Sequence, residues 1–130
     1  MKCNSLTPER SKEIVTLFTD VFSDSEGLEE GALIGHLVSE LLSTTDKEDL
    51  MGYICVAEGK AVAGVFLSRI WLSSGKRAFI LSPVAVSSKE QQKGVGQRLI
   101  RYAIERLQEQ AVELLFTYGD PNYYSRFGSP

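Results

Sequence analysis

A glycine-rich turn that follows a long apolar run is the part of this sequence best suited to binding chemistry. The turn reads Gln91-Gln92-Lys93-Gly94-Val95-Gly96, and an amphipathic helical pattern begins within it. The first N–H groups of a helix lack partners within the helix, and together with the helix dipole they attract anions. Gly94 and Gly96 have no Cβ atoms, so a phosphate can approach the backbone closely. The turn therefore predicts an anion-binding cradle, to which three cations add charge: Lys89, Lys93 and Arg98.

Two common phosphate-binding patterns do not fit this turn. A P-loop requires Gly-Lys-Ser or Gly-Lys-Thr, and neither occurs in the chain. The dinucleotide fingerprint GxGxxG fails because Leu99 stands at the third glycine position. Two glycines also suit the start of a helix that binds nothing, so both interpretations stay open at this point.

Composition limits the remaining chemistry. The chain has 130 residues and a formal net charge of −3, and it has no long basic run, which argues against a dedicated nucleic-acid-binding protein. One histidine and two distant cysteines, Cys3 and Cys55, cannot assemble a His/Cys metal site, and Cys55 is expected to be a small apolar strand residue. No apolar run approaches the ~20 residues that span a bilayer, and the N-terminus has no apolar signal segment. A reduced, cytoplasmic setting is the resulting expectation.

Eight predicted elements position the turn, in the order α-α-β-β-β-α-β-α, within a single domain over residues 1–130. The two N-terminal helices flank the acidic segment Ser23–Gly31, and a short helix is predicted at Asp120–Phe127. The predicted strands are, in chain order, Met51–Ala57, Ala61–Leu72, Arg77–Val86 and Val112–Tyr118. The last two strands flank a helix and favour a parallel crossover, whereas the hairpins before them are antiparallel, so the sheet is expected to be mixed.

Two separately placed motifs resemble the GNAT superfamily of N-acetyltransferases. The family's turn reads Q/R-x-x-G-x-G/A after an apolar strand, and Gln91, Gly94 and Gly96 match it in place. Downstream, Tyr124-Ser125-Arg126-Phe127-Gly128 is similar to the family's closing Tyr-x-x-x-Gly segment. The resemblance extends from about Thr7 to Gly128, and the stretch Gly-Asp-Pro-x-Tyr-Tyr looks like a group of predicted bacterial N-acetyltransferases with poorly defined substrates.

The resemblance implies an α/β (α+β) fold: a mixed, mostly antiparallel sheet with helices on both faces and a central parallel pair splayed at the cofactor site. Pro83 suits a bulge or splay because it has no N–H to donate, although a position at a sheet edge would also explain it. The implied co-substrate is acetyl-coenzyme A. Ten residues are expected to bind it: Val84, Ala85, Val86, Gln91, Gln92, Lys93, Gly94, Val95, Gly96 and Gln97.

The implied activity is that of an N-acetyltransferase, in which a primary amine attacks the thioester directly in a ternary complex. In the family a backbone N–H of the splayed strand polarises the carbonyl, and Val84 or Val86 would supply it here. Tyr124 aligns with the tyrosine that many members use as the general acid on the departing thiolate. Tyr123 is the adjacent competitor, and packing of both tyrosines under the sheet is another explanation.

The acceptor implied by the resemblance is a small-molecule or protein amine. Carboxylates between the first two helices would attract its cationic form, with Glu26, Glu29 and Glu30 as the predicted binding residues and Asp24 beside them. Solvated surface acids are the commoner explanation for such a run. Strand Arg77–Val86 contains no Asp, Glu or His, so no general base is evident. The acidic residues between the first two helices are the nearest alternative, and a water chain that carries the proton to solvent would need no dedicated base.

Family members usually continue past the closing glycine with one or two strands, whereas Gly128 is followed here only by Ser129 and Pro130. The last strands are therefore expected to be missing. In the family these strands complete the part of the sheet that binds the acceptor, so the prediction of an acceptor site is less secure than that of a cofactor site. A second hypothesis follows, that of a non-catalytic acyl-coenzyme A-binding or interaction module. An exposed strand at Val112–Tyr118 would invite pairing, so a homodimer is a further hypothesis.

Overall fold

A computed structural model of the chain describes residues 1–91 and 93–117. Single 3₁₀ turns lie at Pro8–Arg10 and Ser88–Glu90. The remaining elements are, in chain order, β1 (Lys2–Ser5), α1 (Ser11–Glu26), α2 (Leu28–Thr44), β2 (Leu50–Ala57), β3 (Lys60–Trp71), β4 (Arg77–Val86), α3 (Val95–Glu109) and β5 (Leu114–Thr117).

The predicted helices and strands within the described residues are confirmed, with one addition and shifts at several ends. Strand β1 was not predicted, because three of its four residues are polar or charged and exposed and carry no alternating apolar pattern. It forms because its backbone pairs with β2 in antiparallel register, from Lys2 opposite Val56 to Ser5 opposite Tyr53. The predicted helix at Asp120–Phe127 lies outside the described residues.

The described strands form one mixed sheet in the order β1-β2-β3-β4-β5. The first four pair antiparallel, and β4 and β5 pair in parallel from Ala78 opposite Leu114 to Leu81 opposite Thr117. This arrangement confirms the expected mixed, mostly antiparallel sheet. It also places the end of β4, which leads into the glycine turn, beyond the last described pair with β5.

Pro83 lies at a bulge between β3 and β4. Val65 is opposite Val84, but Leu67 is opposite Leu81, so β4 holds one more residue than β3 over this stretch. Strand β4 lies between β3 and β5, but its described pairs with β5 stop at Leu81, so a local edge position of Pro83 stays an alternative explanation. The bulge is the outcome expected of a residue that cannot donate to a ladder.

The sheet is covered on both faces, as expected. Helices α1 and α2 enclose one core layer, whose buried members are Ile14, Phe18, Val38, Ile54, Phe66 and Ala85. Helix α3 encloses the other, which is larger and includes Cys55, Ala63, Leu67, Phe79, Leu81, Val95, Leu99 and Ala103. The second layer places the first residue of α3 on the sheet, and this contact sets where the glycine turn ends.

The cysteines correct an expectation. Cys55 is a buried strand residue, as predicted, but it is not a lone apolar side chain, because a disulfide bond joins it to Cys3. The unpredicted strand β1 brings the two residues directly opposite each other. Because the two cysteines are paired in a disulfide bond, they no longer support the expectation of a reducing compartment. Separately, no helix among residues 1–91 and 93–117 is long and apolar enough to cross a membrane.

Candidate functional site

The glycine turn leads from the end of β4 into the N-terminus of α3. Gly94 precedes the helix with φ 77° and ψ 11°, a left-handed conformation that glycine adopts without steric cost. Its carbonyl accepts the first helical hydrogen bond, from the Arg98 N–H at 3.0 Å. No side chain caps this end of α3 and no acidic residue lies in its first turn. The N-terminus is therefore left with its partial positive charge uncompensated by its own first turn.

A cleft of about 440 Å³ opens at this N-terminus. Six of the ten predicted cofactor residues line it, together with one residue that was not predicted: Val86, Glu90, Gln91, Gly94, Val95, Gly96 and Gln97. Both the end of the strand and the start of the helix contribute, so the structure brings together the two parts of the predicted cradle.

The other predicted cofactor residues have different positions. Val84 packs against the core layer under α3, whereas Ala85 is buried in the layer under α1 and α2. Ala85 can therefore contact a ligand only through its backbone, whereas Val84 is partly exposed. Lys93 is exposed beside the cleft, and Gln92 lies outside the described residues.

Gln91 ties the turn back to the strand. Its Nε2 donates a hydrogen bond of 2.9 Å to the carbonyl oxygen of Val86. The side chain therefore closes the loop that spans residues 86–91, and its contribution to the cleft is to hold the backbone in place. This contact gives a physical reason for an amide side chain at the first position of the Q/R-x-x-G-x-G/A motif.

The backbone at the end of β4 offers donors toward β5. The Ser87 N–H donates to the Val62 carbonyl of β3 at 2.8 Å. Successive N–H groups of a strand alternate in direction, so those of Val86 and Val84 point to the opposite side. The described pairs with β5 stop at Leu81. These two N–H groups therefore face the side of β4 where a ligand lying along the strand would be.

Charge around the cleft is mixed. Lys89, Lys93 and Arg98 are exposed around it, and Lys93 lies 3.7 Å from the Glu90 carboxylate. Glu90 is less exposed than Lys93, at 24% against 63% of the side chain. A carboxylate in the cleft opposes anion binding, and its pairing with Lys93 reduces that effect. Glu90 was missed because its place in the cleft depends on how the 3₁₀ turn folds back.

The acidic residues between α1 and α2 approach the site at one point. Ser88 Oγ lies 3.4 Å from Asp24 Oδ2, which brings the last turn of α1 beside the residues that follow β4. Glu26 is exposed at the end of α1, and Glu29 and Glu30 are exposed in the first turn of α2. In that first turn, both carboxylates interact favourably with the partial positive charge at the N-terminus of α2. This stabilisation of the helix is a structural reason for their presence.

Other candidates lie away from the cleft or outside the described part of the chain. Tyr124, the predicted general acid, lies outside it, as does its competitor Tyr123. At the opposite end of α3, burial raises the pKa of Tyr53, although a hydrogen bond with Gln110 acts to lower it. Among residues 1–91 and 93–117, no group of three His, Cys, Asp or Glu side chains is arranged to hold a metal ion.

Comparison with known proteins identifies relatives over most of the chain. Residues 12–128 match the family described as the acetyltransferase (GNAT) family. The chain is 34% identical over 95 residues to the uncharacterized N-acetyltransferase YjhQ of Escherichia coli K12, covering 71% of this chain and 52% of the relative. It is 30% identical over 94 residues to the uncharacterized N-acetyltransferase YhbS of the same strain, covering 72% and 50%. The chain thus spans about half the length of these relatives.

Solved structures share the fold. A GNAT family acetyltransferase from Brucella melitensis, in complex with acetyl-CoA, superposes with a TM-score of 0.85 at 22% identity, covering 98% of this chain and 80% of that one. An aminoglycoside 6'-N-acetyltransferase complexed with coenzyme A gives a TM-score of 0.71 at 14% identity, covering 90% and 61%. At these identities the likeness concerns the fold.

Proposed function

The chain belongs to the acetyltransferase (GNAT) family, and from that premise we propose that it transfers the acetyl group of acetyl-coenzyme A to a primary amine. The observation that carries the proposal is the N-terminus of α3, which has no side-chain cap and no acid in its first turn and opens into the cleft at the end of β4. A helix start of this kind binds phosphate groups through backbone N–H donors and the helix dipole. The pyrophosphate of the coenzyme supplies such a group.

The coenzyme is proposed to lie with its pyrophosphate at Gly94–Gly96 and its pantetheine arm along β4. The cations Lys89, Lys93 and Arg98 would add longer-range attraction for the phosphates. The amide groups of the pantetheine arm would then pair with the strand on the side that faces β5, as an added strand pairs with a sheet. This placement would bring the thioester beside the bulge at Pro83.

The reaction itself is proposed to be a direct attack of the amine on the thioester carbonyl within a ternary complex. A backbone N–H of Val84 or Val86 would stabilise the negative charge that develops on the carbonyl oxygen. The proton that the departing thiolate takes up is assigned to Tyr124 as general acid. The amine must lose a proton before it attacks, and no carboxylate or imidazole of β4 is available to take it, so water is the proposed acceptor.

The acceptor is proposed to be a small-molecule or protein amine that approaches past the acidic end of α1. Asp24, beside Ser88, supports this direction of approach, and Glu26, Glu29 and Glu30 are proposed to attract the cationic amine. A cytoplasmic location and a homodimer stay predictions.

The test is the release of coenzyme A thiol, followed with a thiol reagent, while acetyl-coenzyme A is incubated with a panel of amines. We expect release to depend on one class of amine and to be accompanied by acetylation of that amine in the mass spectrum. Tyr124→Phe is expected to lower kcat by about 10²–10⁴-fold with little change in KM, because a general acid acts in the transition state. An unchanged kcat would remove the assignment of Tyr124.

The absence of Asp, Glu and His from β4 also fits a second function, that of an acyl-coenzyme A-binding module without transfer. Coenzyme binding in calorimetry, combined with no thiol release for any amine, would favour this module over the enzyme. If the protein neither binds acetyl-coenzyme A nor releases thiol from it, both functions are contradicted.

A further inference from the structure

Strand β1 is held to the sheet by few side-chain contacts. Of its four residues, Lys2, Asn4 and Ser5 are exposed, and only Cys3 is partly buried. The strand pairs on one side only, with β2, at the outer position in the sheet order of the described residues. Because burial of apolar surface supplies most of the free energy that holds an element in place, β1 depends on its backbone pairs and on the bond between Cys3 and Cys55.

The two sulfur atoms of that bond differ in their surroundings. Cys55 is completely buried, whereas Cys3 retains partial exposure. Cys55 belongs to the core layer that also contains Ala63 and Val95. In the sheet register Cys55 lies opposite Ala63, and Ala63 lies opposite Val86. The disulfide therefore occupies the same layer as the start of α3, in the row of residues that ends at the cleft.

We propose that the disulfide bond between Cys3 and Cys55 is a redox switch: when oxidised it holds β1 on the sheet, and when reduced it releases β1. The bond closes a segment with a sequence separation of 52 residues, which includes both α1 and α2. A cross-link of this length restricts the unfolded chain and so stabilises the folded one. Without the bond, β1 keeps only its backbone pairs with β2 and the packing of one partly buried side chain.

The chemistry is thiol–disulfide exchange with a small thiol, such as glutathione. The thiolate of the small thiol attacks Sγ of Cys3, the more accessible sulfur, and forms a mixed disulfide while Cys55 leaves as a thiolate and takes up a proton. A second small thiol, as its thiolate, then attacks the mixed disulfide at the small-molecule sulfur and releases the small disulfide and the Cys3 thiolate, which takes up the second proton. The protein gains two electrons and two protons, and the small thiols lose them. Oxidation by the small disulfide follows the reverse sequence.

The test compares the oxidised and reduced forms of the full chain by amide hydrogen exchange and thermal unfolding. Each form is prepared in oxidised or reduced glutathione, and its thiols are counted by alkylation under denaturing conditions and mass spectrometry. In the reduced form we expect the amides of the β1–β2 pair to exchange at least about tenfold faster, with a smaller acceleration in the β3–β4 pair. The midpoint of thermal unfolding is expected to fall by roughly 5–15 °C.

Cys3→Ser provides the matched variant, because Cys3 is the partly exposed partner and a hydroxyl is tolerated there more readily than at buried Cys55. We expect this variant to show the fast β1 exchange of the reduced wild type and no response to reductant. Equal β1 exchange in the oxidised and reduced wild type would overturn the proposal. Two alkylated cysteines after equilibration with oxidised glutathione would overturn it as well, since no bond would then form.

Discussion

Two helices of this chain begin in nearly the same way but differ in the charge of their first turns. Both α2 and α3 follow a glycine with positive φ, Gly27 at 103° and Gly94 at 77°. Neither start has a side-chain cap, and each glycine carbonyl accepts a 3.0 Å hydrogen bond from the residue four positions on.

The first turn separates the two starts. In α2 it contains Glu29 and Glu30, whose carboxylates compensate the dipole, whereas the first turn of α3 contains no acid. A glycine before a helix is therefore not sufficient to indicate an anion site. The start of α3 differs because its own first turn contains no acid and because it faces a cleft shared with the end of β4.

Gly94→Glu should weaken the binding of acetyl-coenzyme A more than any other substitution described below. It places a carboxylate at the proposed phosphate position and a side chain at a left-handed backbone position. We expect the affinity for acetyl-coenzyme A in calorimetry to fall by at least about 100-fold. Gly75→Glu is the matched control, since Gly75 has a φ of 79° and, like Gly94, open space where a Cβ would be. Equal losses in the two variants would show that backbone strain, and not the anion site, explains the result.

Gln97→Glu should have a smaller effect, because it changes charge without changing shape. The substitution gives the first turn of α3 an acid, as in α2, and we expect about tenfold weaker binding of acetyl-coenzyme A. Gln108→Glu makes the same change at the other end of the helix and should leave the affinity within about twofold. If the two variants bind alike, the position of the charge at the N-terminus does not matter.

Glu90→Gln should make the start of α3 a better anion site than it is now, because it removes the carboxylate that lines the cleft. Lys93 then loses its 3.7 Å partner and is freed to interact with a phosphate. We expect binding of acetyl-coenzyme A to become about two- to fivefold tighter at low ionic strength, and the gain to shrink as salt is added. A weaker affinity would mean that Glu90 supports the turn more than it repels the ligand.

Glu29→Gln combined with Glu30→Gln should have the smallest effect. Removing both carboxylates leaves the start of α2 uncompensated, so the midpoint of thermal unfolding is expected to fall by about 1–4 °C. Affinity for acetyl-coenzyme A should stay within about twofold, because α2 starts outside the cleft. If these residues attract the acceptor as proposed, kcat/KM for the amine should also fall, and an unchanged kcat/KM would remove that role.

Features encoded by neighbouring residues could be predicted from the sequence. The apolar run of β4, the glycine turn and the amphipathic pattern of α3 are continuous in the chain, so the order of these elements and the position of the turn followed directly. Gln91 was identified through its motif, although its hydrogen bond to Val86 became visible only in the structure.

Features that depend on distant contacts could not be predicted. Strand β1 has no apolar alternation of its own and forms because β2 presents a partner. The bond between Cys3 and Cys55 depends on that register. The close packing of α1 on α2 is likewise a property of two helices: a Cβ on Gly31 would lie 2.7 Å from the Thr19 carbonyl oxygen.

The most direct test of the anion cradle compares two ligands on the unaltered protein by calorimetry. Acetyl-coenzyme A carries the pyrophosphate and the adenosine beyond it, whereas acetyl-pantetheine presents the same thioester and pantetheine arm without either. If the start of α3 binds the pyrophosphate, acetyl-pantetheine should bind at least about 100-fold more weakly than acetyl-coenzyme A. Equal affinities for the two ligands would contradict the assignment of the glycine turn.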